Sequence, residues 1–153
     1  MRCWTRVAPE RLDPLTEHKE FHATLGSEGA IVTFVGVARS HDTTGSHVKG
    51  LFLDHHPRLT ELSLKEIAED AGRRFDVSAL RVVHRCGVVG PGDAIVFVAA
   101  AAMHRRTAFD AVDYAMDRLK TEAVFWKRED TVDGSRWVEP TLTDQVNRAR
   151  WSK

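Results

Sequence analysis

The chain has 153 residues, 42% hydrophobic and 29% charged, which is typical of a globular protein with one domain, expected here to span residues 1–153. Its 22 basic and 22 acidic side chains give a formal net charge of zero, so any anion site must come from local clustering instead of an overall field. Two cysteines exclude a disulfide framework, and the lack of a long apolar run argues against a signal or membrane segment, so we expect a cytoplasmic protein.

Apolar residues recur with the periods of strands and helices along most of the chain. Asp13 before Pro14 predicts the start of a short helix, because Asp is a favoured N-cap and Pro is favoured in the first turn. Runs of β-branched apolar residues predict strands, and helical spacing predicts the longer helices. In chain order, these elements are a helix over 13–22, strands over 30–38 and 48–55, a helix over 58–75, strands over 80–86 and 94–100, and a helix over 107–121.

The last predicted element is a β-hairpin. Strands over 124–129 and 136–138 flank a turn at Asp133-Gly134. Several neighbouring strands have connections too short for parallel crossovers, which favours antiparallel pairing. The sequence therefore predicts an α+β fold with a mostly antiparallel sheet covered by two main helices and a C-terminal β-hairpin. No element is predicted for the last dozen residues.

Arg39 and His41 directly follow the apolar strand that ends at Ala38. A loop after a strand is a common place for ligand contacts, so both residues are candidates for binding. A solvated arginine in a surface loop is the competing interpretation, and composition alone favours it.

His104, Arg105 and Arg106 precede the last predicted helix. Free backbone amides at a helix start attract anions, and three basic side chains would complete a phosphate site. Cations at this end oppose the helix dipole, which suggests an anionic partner. Arginines that pair with Asp110 and Asp113 or lie over the surface are the alternative.

The segment 120–129, Lys-Thr-Glu-Ala-Val-Phe-Trp-Lys-Arg-Glu, carries three cations beside two large aromatic residues. Ammonium groups held near other cations and apolar surface lose proton affinity, which suits acid/base chemistry or anion binding. Strand alternation places Lys127 on one face with Phe125 and Glu129. The alternative is that Lys120 stabilises a helix C-terminus and Lys127 forms a cross-strand ion pair.

The histidines give no metal motif. Adjacent His55 and His56 would point to opposite faces of a strand and could not bind one ion together. A P-loop, a G-x-G-x-x-G segment and a G-x-S-x-G segment are absent, so neither a metal nor a cofactor is predicted. The zinc-type spacings are also absent among His41, His47, His84 and His104.

Over roughly residues 28 to 140, the order of these segments resembles the large, catalytic subunit of molybdopterin synthase. No single segment is specific, but the combination is. The matching stretches are Gly29–Gly36 with Arg39 and His41, Val83–Gly87, Pro91–Asp93, His104-Arg105 with Ala108-Phe109, Met116, Leu119–Thr121, Phe125–Glu129 and Arg136–Glu139.

The resemblance implies an α/β hammerhead-like fold and a sulfurtransferase activity in molybdenum cofactor biosynthesis. A small ubiquitin-like carrier with a C-terminal Gly-Gly tail would bring sulfur as a thiocarboxylate. The sulfur would pass to cyclic pyranopterin monophosphate and build the dithiolene of molybdopterin. Since the carrier supplies the sulfur, no cofactor is expected, and the expected assembly is a homodimer within a heterotetramer.

The resemblance also implies roles for individual residues. Lys120 and Lys127 match the catalytic pair of the family. His104 and Arg105 match binding positions that the neighbouring subunit of the dimer would supply. The complete set of implied substrate-binding residues is Arg39, His104, Arg105, Phe34, Met116 and Arg136.

A non-enzymatic module that binds an anionic ligand or RNA on its basic loops is the alternative function. Zero net charge and the location of the cations beside apolar residues argue against an extended nucleic-acid surface. Steeply salt-dependent RNA binding would favour this alternative.

Overall fold

The computed structural model describes residues 1–153 and divides the strands between two four-stranded sheets. The strands are β1 (Arg2–Ala8), β2 (Ala30–Val37), β3 (Val48–His55), β4 (Ala79–Arg85), β5 (Gly87–Val89), β6 (Ala94–Ala102), β7 (Phe125–Thr131) and β8 (Gly134–Val138). The helices are α1 (Pro14–Ala23), α2 (Pro57–Phe75), α3 (Arg105–Glu122) and α4 (Leu142–Ala149).

The first sheet has the order β1-β4-β6-β2 and contains the main core. Its central strand β6 is apolar throughout and is buried from Val96 onward, as expected for a strand covered on both faces. The α2 and α3 helices cover one face, where Leu64 and Ile67 pack with Val98 in a cluster of 17 buried residues. Phe21 of α1 packs on the opposite face.

The second sheet has the order β5-β3-β7-β8 and is antiparallel throughout. Its register places Lys127 opposite Leu53 of β3, and Glu129 opposite Arg136 of β8. The predicted hairpin is β7 with β8, and Gly134 adopts a positive φ of 125° at the turn.

Local sequence signals explain several helix ends. The Asp13 side chain accepts a hydrogen bond from the backbone N–H of Leu15, which caps α1. Thr141 and Asp144 form a reciprocal capping box at the start of α4. Asp76 ends α2 in the left-handed conformation, with φ of 51°. None of the four helices has the length and apolar composition needed to cross a membrane.

The α+β class, the two main helices and the C-terminal hairpin are confirmed. The strands form two sheets, where the sequence pattern suggested one. Three elements were not predicted: β1, which pairs in parallel with β4, the three-residue β5, and α4 in the C-terminal tail.

Ion pairs and one aromatic side chain hold the C-terminal tail against α3. Arg150 contacts Asp113 at 2.6 Å and Asp117 at 2.8 Å. The indole N–H of Trp151 donates to Asp117 at 2.7 Å, and its ring packs edge-on against Tyr114. The C-terminal tail, for which the sequence pattern predicted no element, is thus held in place by its contacts with α3.

Candidate active site

The topology brings the ends of three elements to one edge of the first sheet. Both β2 and β4 run antiparallel to β6. The α3 helix follows β6 after two residues and packs back over β6 and β2. The C-terminal ends of β2, β4 and α3 therefore lie at the same edge, where Arg39, His84 and Lys120 are found.

A two-residue connection joins Lys120 to the strand that carries Lys127. Lys120 lies in the last turn of α3, and only Ala123 and Val124 separate α3 from β7. The hydroxyl of Thr60, a fully buried residue of α2, donates to the Val124 carbonyl at 2.6 Å. A second α2 hydroxyl accepts from the Val124 amide at 3.1 Å. Both backbone polar groups of Val124 are therefore hydrogen-bonded to α2.

Lys127 lies half-buried in a positive environment. Burial lowers the pKa of Lys127, and the positive charges of Lys120 and Arg39 lower it further. The carboxylates of Glu129 and Asp144 oppose this shift without reversing it. Neither lysine forms an ion pair within 4.0 Å, so both amines are free to meet a substrate. Lys120, Lys127 and Arg39, to which the family resemblance gives roles in one site, therefore lie close enough in one chain for their charges to interact.

Glu129 and Arg136 lie beside Lys127 on the inner face of the hairpin. Glu129 is 7% exposed, and its Oε2 atom has no hydrogen-bond partner. The Arg136 Nη2 atom is 3.7 Å from Oε2, which is an ion pair but too long for a hydrogen bond. A buried carboxylate with spare acceptor capacity is costly, and its place beside the lysine supports a role in the site.

The outward face of β7 has a different character. Arg128 lies over the Phe52 ring at 4.9 Å and the Trp137 ring at 5.9 Å. Trp126 is 51% exposed. The predicted alternation along this strand is therefore confirmed, with Lys127 turned inward.

His84 was not predicted as a site residue, yet it lies beside the lysines. Its ring stacks on Phe125 with centroids 4.0 Å apart and an interplanar angle of 24°. Burial lowers the pKa of His84 to about 4, and the charges of Lys120 and Lys127 contribute in the same direction. Its one sequence signal was its place at the end of a predicted strand, inside the family-like stretch Val83–Gly87.

Phe34 and Met116 lie on β2 and α3, two of the elements whose C-terminal ends reach this edge. Phe34 lies on the outer strand β2, is 39% exposed and is next to Gly36 on the same face. Met116 is one turn before Lys120 on α3 and packs against the main core. Both residues lie on the side of the sheet that the helices cover.

His104 and Arg105 lie at the opposite end of α3. Fifteen residues separate Arg105 from Lys120, a distance of about 22 Å along the helix. The two ends of α3 therefore do not meet within one chain, and the eight predicted site residues form two groups. The alternative pairing of the arginines with nearby acids is not observed, since Asp113 pairs with Arg150 and neither Arg105 nor Arg106 forms an ion pair.

No group of three or more histidine, cysteine, aspartate or glutamate side chains has a metal-binding arrangement. His41 and His47 face each other across a short bridge with ring centroids 5.5 Å apart. His18 and His22 have helical i, i+4 spacing, with centroids 6.2 Å apart, and His18 contacts Thr33. Neither pair has a third potential ligand.

Comparison with known proteins gives consistent results. The family model described as "MoaE protein" matches residues 7–122. The molybdopterin synthase catalytic subunit of Pseudomonas aeruginosa is 45% identical over 148 residues, which cover 97% of this chain and 98% of that protein. The protein of the same name from Escherichia coli K12 is 47% identical over 129 residues, covering 84% and 85% of the two chains.

Solved structures show the same fold. The molybdopterin biosynthesis MoaE protein from Burkholderia ambifaria MC40-6 matches with a TM-score of 0.82 at 39% identity, covering 100% of this chain and 99% of that one. Molybdopterin synthase from Staphylococcus aureus matches with a TM-score of 0.78 at 27% identity, covering 86% and 94%. The chain therefore belongs to the MoaE family of molybdopterin synthase catalytic subunits.

Proposed function

We propose that this chain transfers sulfur from the C-terminal thiocarboxylate of a small ubiquitin-like carrier to cyclic pyranopterin monophosphate, forming the dithiolene of molybdopterin. The observation that carries the proposal is the meeting of Lys120, Lys127 and Arg39 at one edge of the first sheet, with both amines unpaired. The reaction brings two anions into one site, the thiocarboxylate of the carrier and the phosphate of the pterin. Lysine and arginine side chains can bind both through charge-assisted hydrogen bonds.

The two lysines have different roles in this proposal. Lys120, exposed at the end of α3, holds the carrier tail. Lys127 exchanges protons with the substrates, because its lowered pKa brings the free amine closer to neutral pH. When water releases the carrier from a sulfur-linked intermediate, negative charge develops on the carbonyl oxygen. The neighbouring ammonium group stabilises that oxyanion.

The remaining proposed binding residues surround the same edge or come from a second copy of the chain. Arg39 and Arg136 contact charged parts of the substrates, while Phe34 and Met116 contact the pterin ring. His104 and Arg105 are too far from Lys120 in the same chain, so we assign them to the site of the partner in a homodimer. One carrier bound to each subunit completes a heterotetramer.

The carrier supplies the sulfur, so the proposed reaction needs no cofactor bound to this chain. A cytoplasmic location fits the chemistry as well. Cys3 and Cys86 are free cysteines, which is usual in a reducing compartment.

Mixing two inactive variants, Lys127→Ala and His104→Ala, should restore about a quarter of the wild-type activity. If His104 acts across the dimer, half of a random mixture is heterodimer, and one of the two sites in each heterodimer has both residues intact. The measurement is dithiolene formation after the subunits have exchanged. Mixing Lys127→Ala with Lys120→Ala serves as the control and should stay inactive, because both lysines belong to the same subunit's site. No recovery in the first mixture, despite confirmed exchange, would place His104 in its own chain's site.

A direct assay tests the function itself. The purified protein is incubated with thiocarboxylated carrier and cyclic pyranopterin monophosphate, and the oxidised fluorescent derivative of the product is measured. Carrier with an ordinary C-terminal carboxylate is the control and should give no product. RNA binding that weakens steeply with salt, without turnover, would support the non-enzymatic alternative.

A further inference from the structure

The structure fixes which nitrogen of His84 carries hydrogen. Nδ1 is 2.7 Å from the backbone carbonyl of Arg85. A carbonyl oxygen only accepts hydrogen bonds, so Nδ1 is the donor and Nε2 of the neutral ring holds a free lone pair. No protein group is bonded to Nε2, so the ring has one acceptor available.

Packing holds this ring in place from two sides. Phe125, at the start of β7, stacks flat against it at 4.0 Å and so joins the two sheets at this point. The residue that accepts the Nδ1 hydrogen is itself fixed, because the Arg85 guanidinium donates to the carbonyls of Ala8 and Val88 at 3.2 and 3.0 Å. The direction of Nε2 is therefore set by the fold.

The charged groups around the ring are the site lysines. Phe125, which stacks on the ring at 4.0 Å, lies five residues after Lys120 and two before Lys127, so both lysines belong to the segment that packs on His84. Their positive charges add to the lowering of the His84 pKa that burial causes. Glu129 and Asp144, the nearby acids, act on Lys127 instead. Lys120 is exposed and unpaired, and its flexible stem allows the amine to reach groups at this edge.

We propose that His84 is a positioning residue, whose Nε2 accepts a hydrogen bond from the Lys120 amine and directs that amine toward the carrier tail. An uncharged acceptor suits this task, because a carboxylate in the same place would repel the thiocarboxylate and the phosphate. The contact would reduce the freedom of a long side chain before the substrates bind. The inference rests on the site proposed above and adds a residue to it.

The first test needs no substrate. The ¹⁵N resonance of His84 Nε2 in the wild-type protein is compared with that in Lys120→Met and Lys127→Met, and Lys65→Met on the surface of α2 serves as the control. A change with Lys120→Met that clearly exceeds the change with Lys127→Met, with none in the control, supports the proposal. A change with Lys120→Met that is absent, or no larger than that with Lys127→Met, overturns it. The outcome does not depend on whether the protein transfers sulfur.

The second test uses activity and rescue. His84→Phe keeps the stacked ring but removes the acceptor, and should lower kcat about ten- to a hundredfold, the range expected for losing one hydrogen bond to a charged group. His84→Gln supplies an amide oxygen near the Nε2 position and should recover a large part of that loss. Full activity in His84→Phe, or equal loss in both variants with unchanged folding, would contradict the positioning role.

Discussion

Replacing Lys127 with alanine is expected to lower the rate of dithiolene formation about 10²- to 10⁴-fold, the usual contribution of a positioned acid or base. The half-buried amine has a lowered pKa because of burial and the nearby charges of Lys120 and Arg39. Removing it takes away the amine whose lowered pKa makes proton release easier than for an ordinary lysine. The measurement is the single-turnover rate with saturating carrier and pterin.

The Lys127→Arg variant separates the role of Lys127 in proton transfer from the role of its positive charge. Arginine keeps the positive charge but stays protonated at every accessible pH, so it should bind substrates and still fail in proton transfer. Lys65→Ala, an exposed change on α2, is the matched control and should leave the rate unchanged. A Lys127→Arg variant with near wild-type rate would show that Lys127 acts only through its charge.

Replacing Lys120 with methionine is expected to have the second largest effect, a loss of about 10²- to 10³-fold, typical of removing one group that stabilises an oxyanion. It should also move the pH dependence of the residual rate. The positive charge of Lys120 helps to lower the pKa of Lys127, so its removal raises that pKa. More alkaline solution is then needed to produce the free amine, and the rising part of the pH–rate profile should shift to higher pH.

A shift of the pH–rate profile would show that Lys120 acts on Lys127 through its charge, whereas a loss of substrate binding alone would lower the rate without moving the profile. Methionine keeps most of the apolar stem, so the packing at the end of α3 should be retained. Arg39→Met offers a comparison, because it removes another charge that lowers the pKa of Lys127. A profile that loses amplitude without moving in either variant would contradict the coupling between these cations.

Much of the fold could be predicted because the local pattern and the tertiary structure agree. The strand over 48–55 was predicted with its observed bounds, since its apolar side chains face a core. The three elements that were missed depend on distant contacts. Strand β1 carries exposed Arg2 and Arg6 and gains its partner β4 only after the intervening 70 or so residues have folded. Helix α4 buries no residue, although its capping box at Thr141 was readable.

The candidate site could be predicted only in part, for a similar reason. Residue type and family resemblance pointed to Arg39, Lys120 and Lys127, and sheet order brings them together. His84 was not predicted because the packing of its ring depends on Phe125, which belongs to the other sheet. The distance between Arg105 and Lys120 follows from the length of α3. Whether a partner subunit brings Arg105 to the lysines depends on the assembly, which a single sequence does not display.

The short segment between α3 and β7 also limits how this protein can change. Side chains of a strand alternate, so one added residue before Phe125 would reverse the parity of β7, turning Trp126 inward and Lys127 toward solvent. Adding two residues would restore the parity but would pull Val124 away from Thr60. An insertion or deletion at this point would therefore displace either the Lys127 amine or the Val124 backbone that α2 holds.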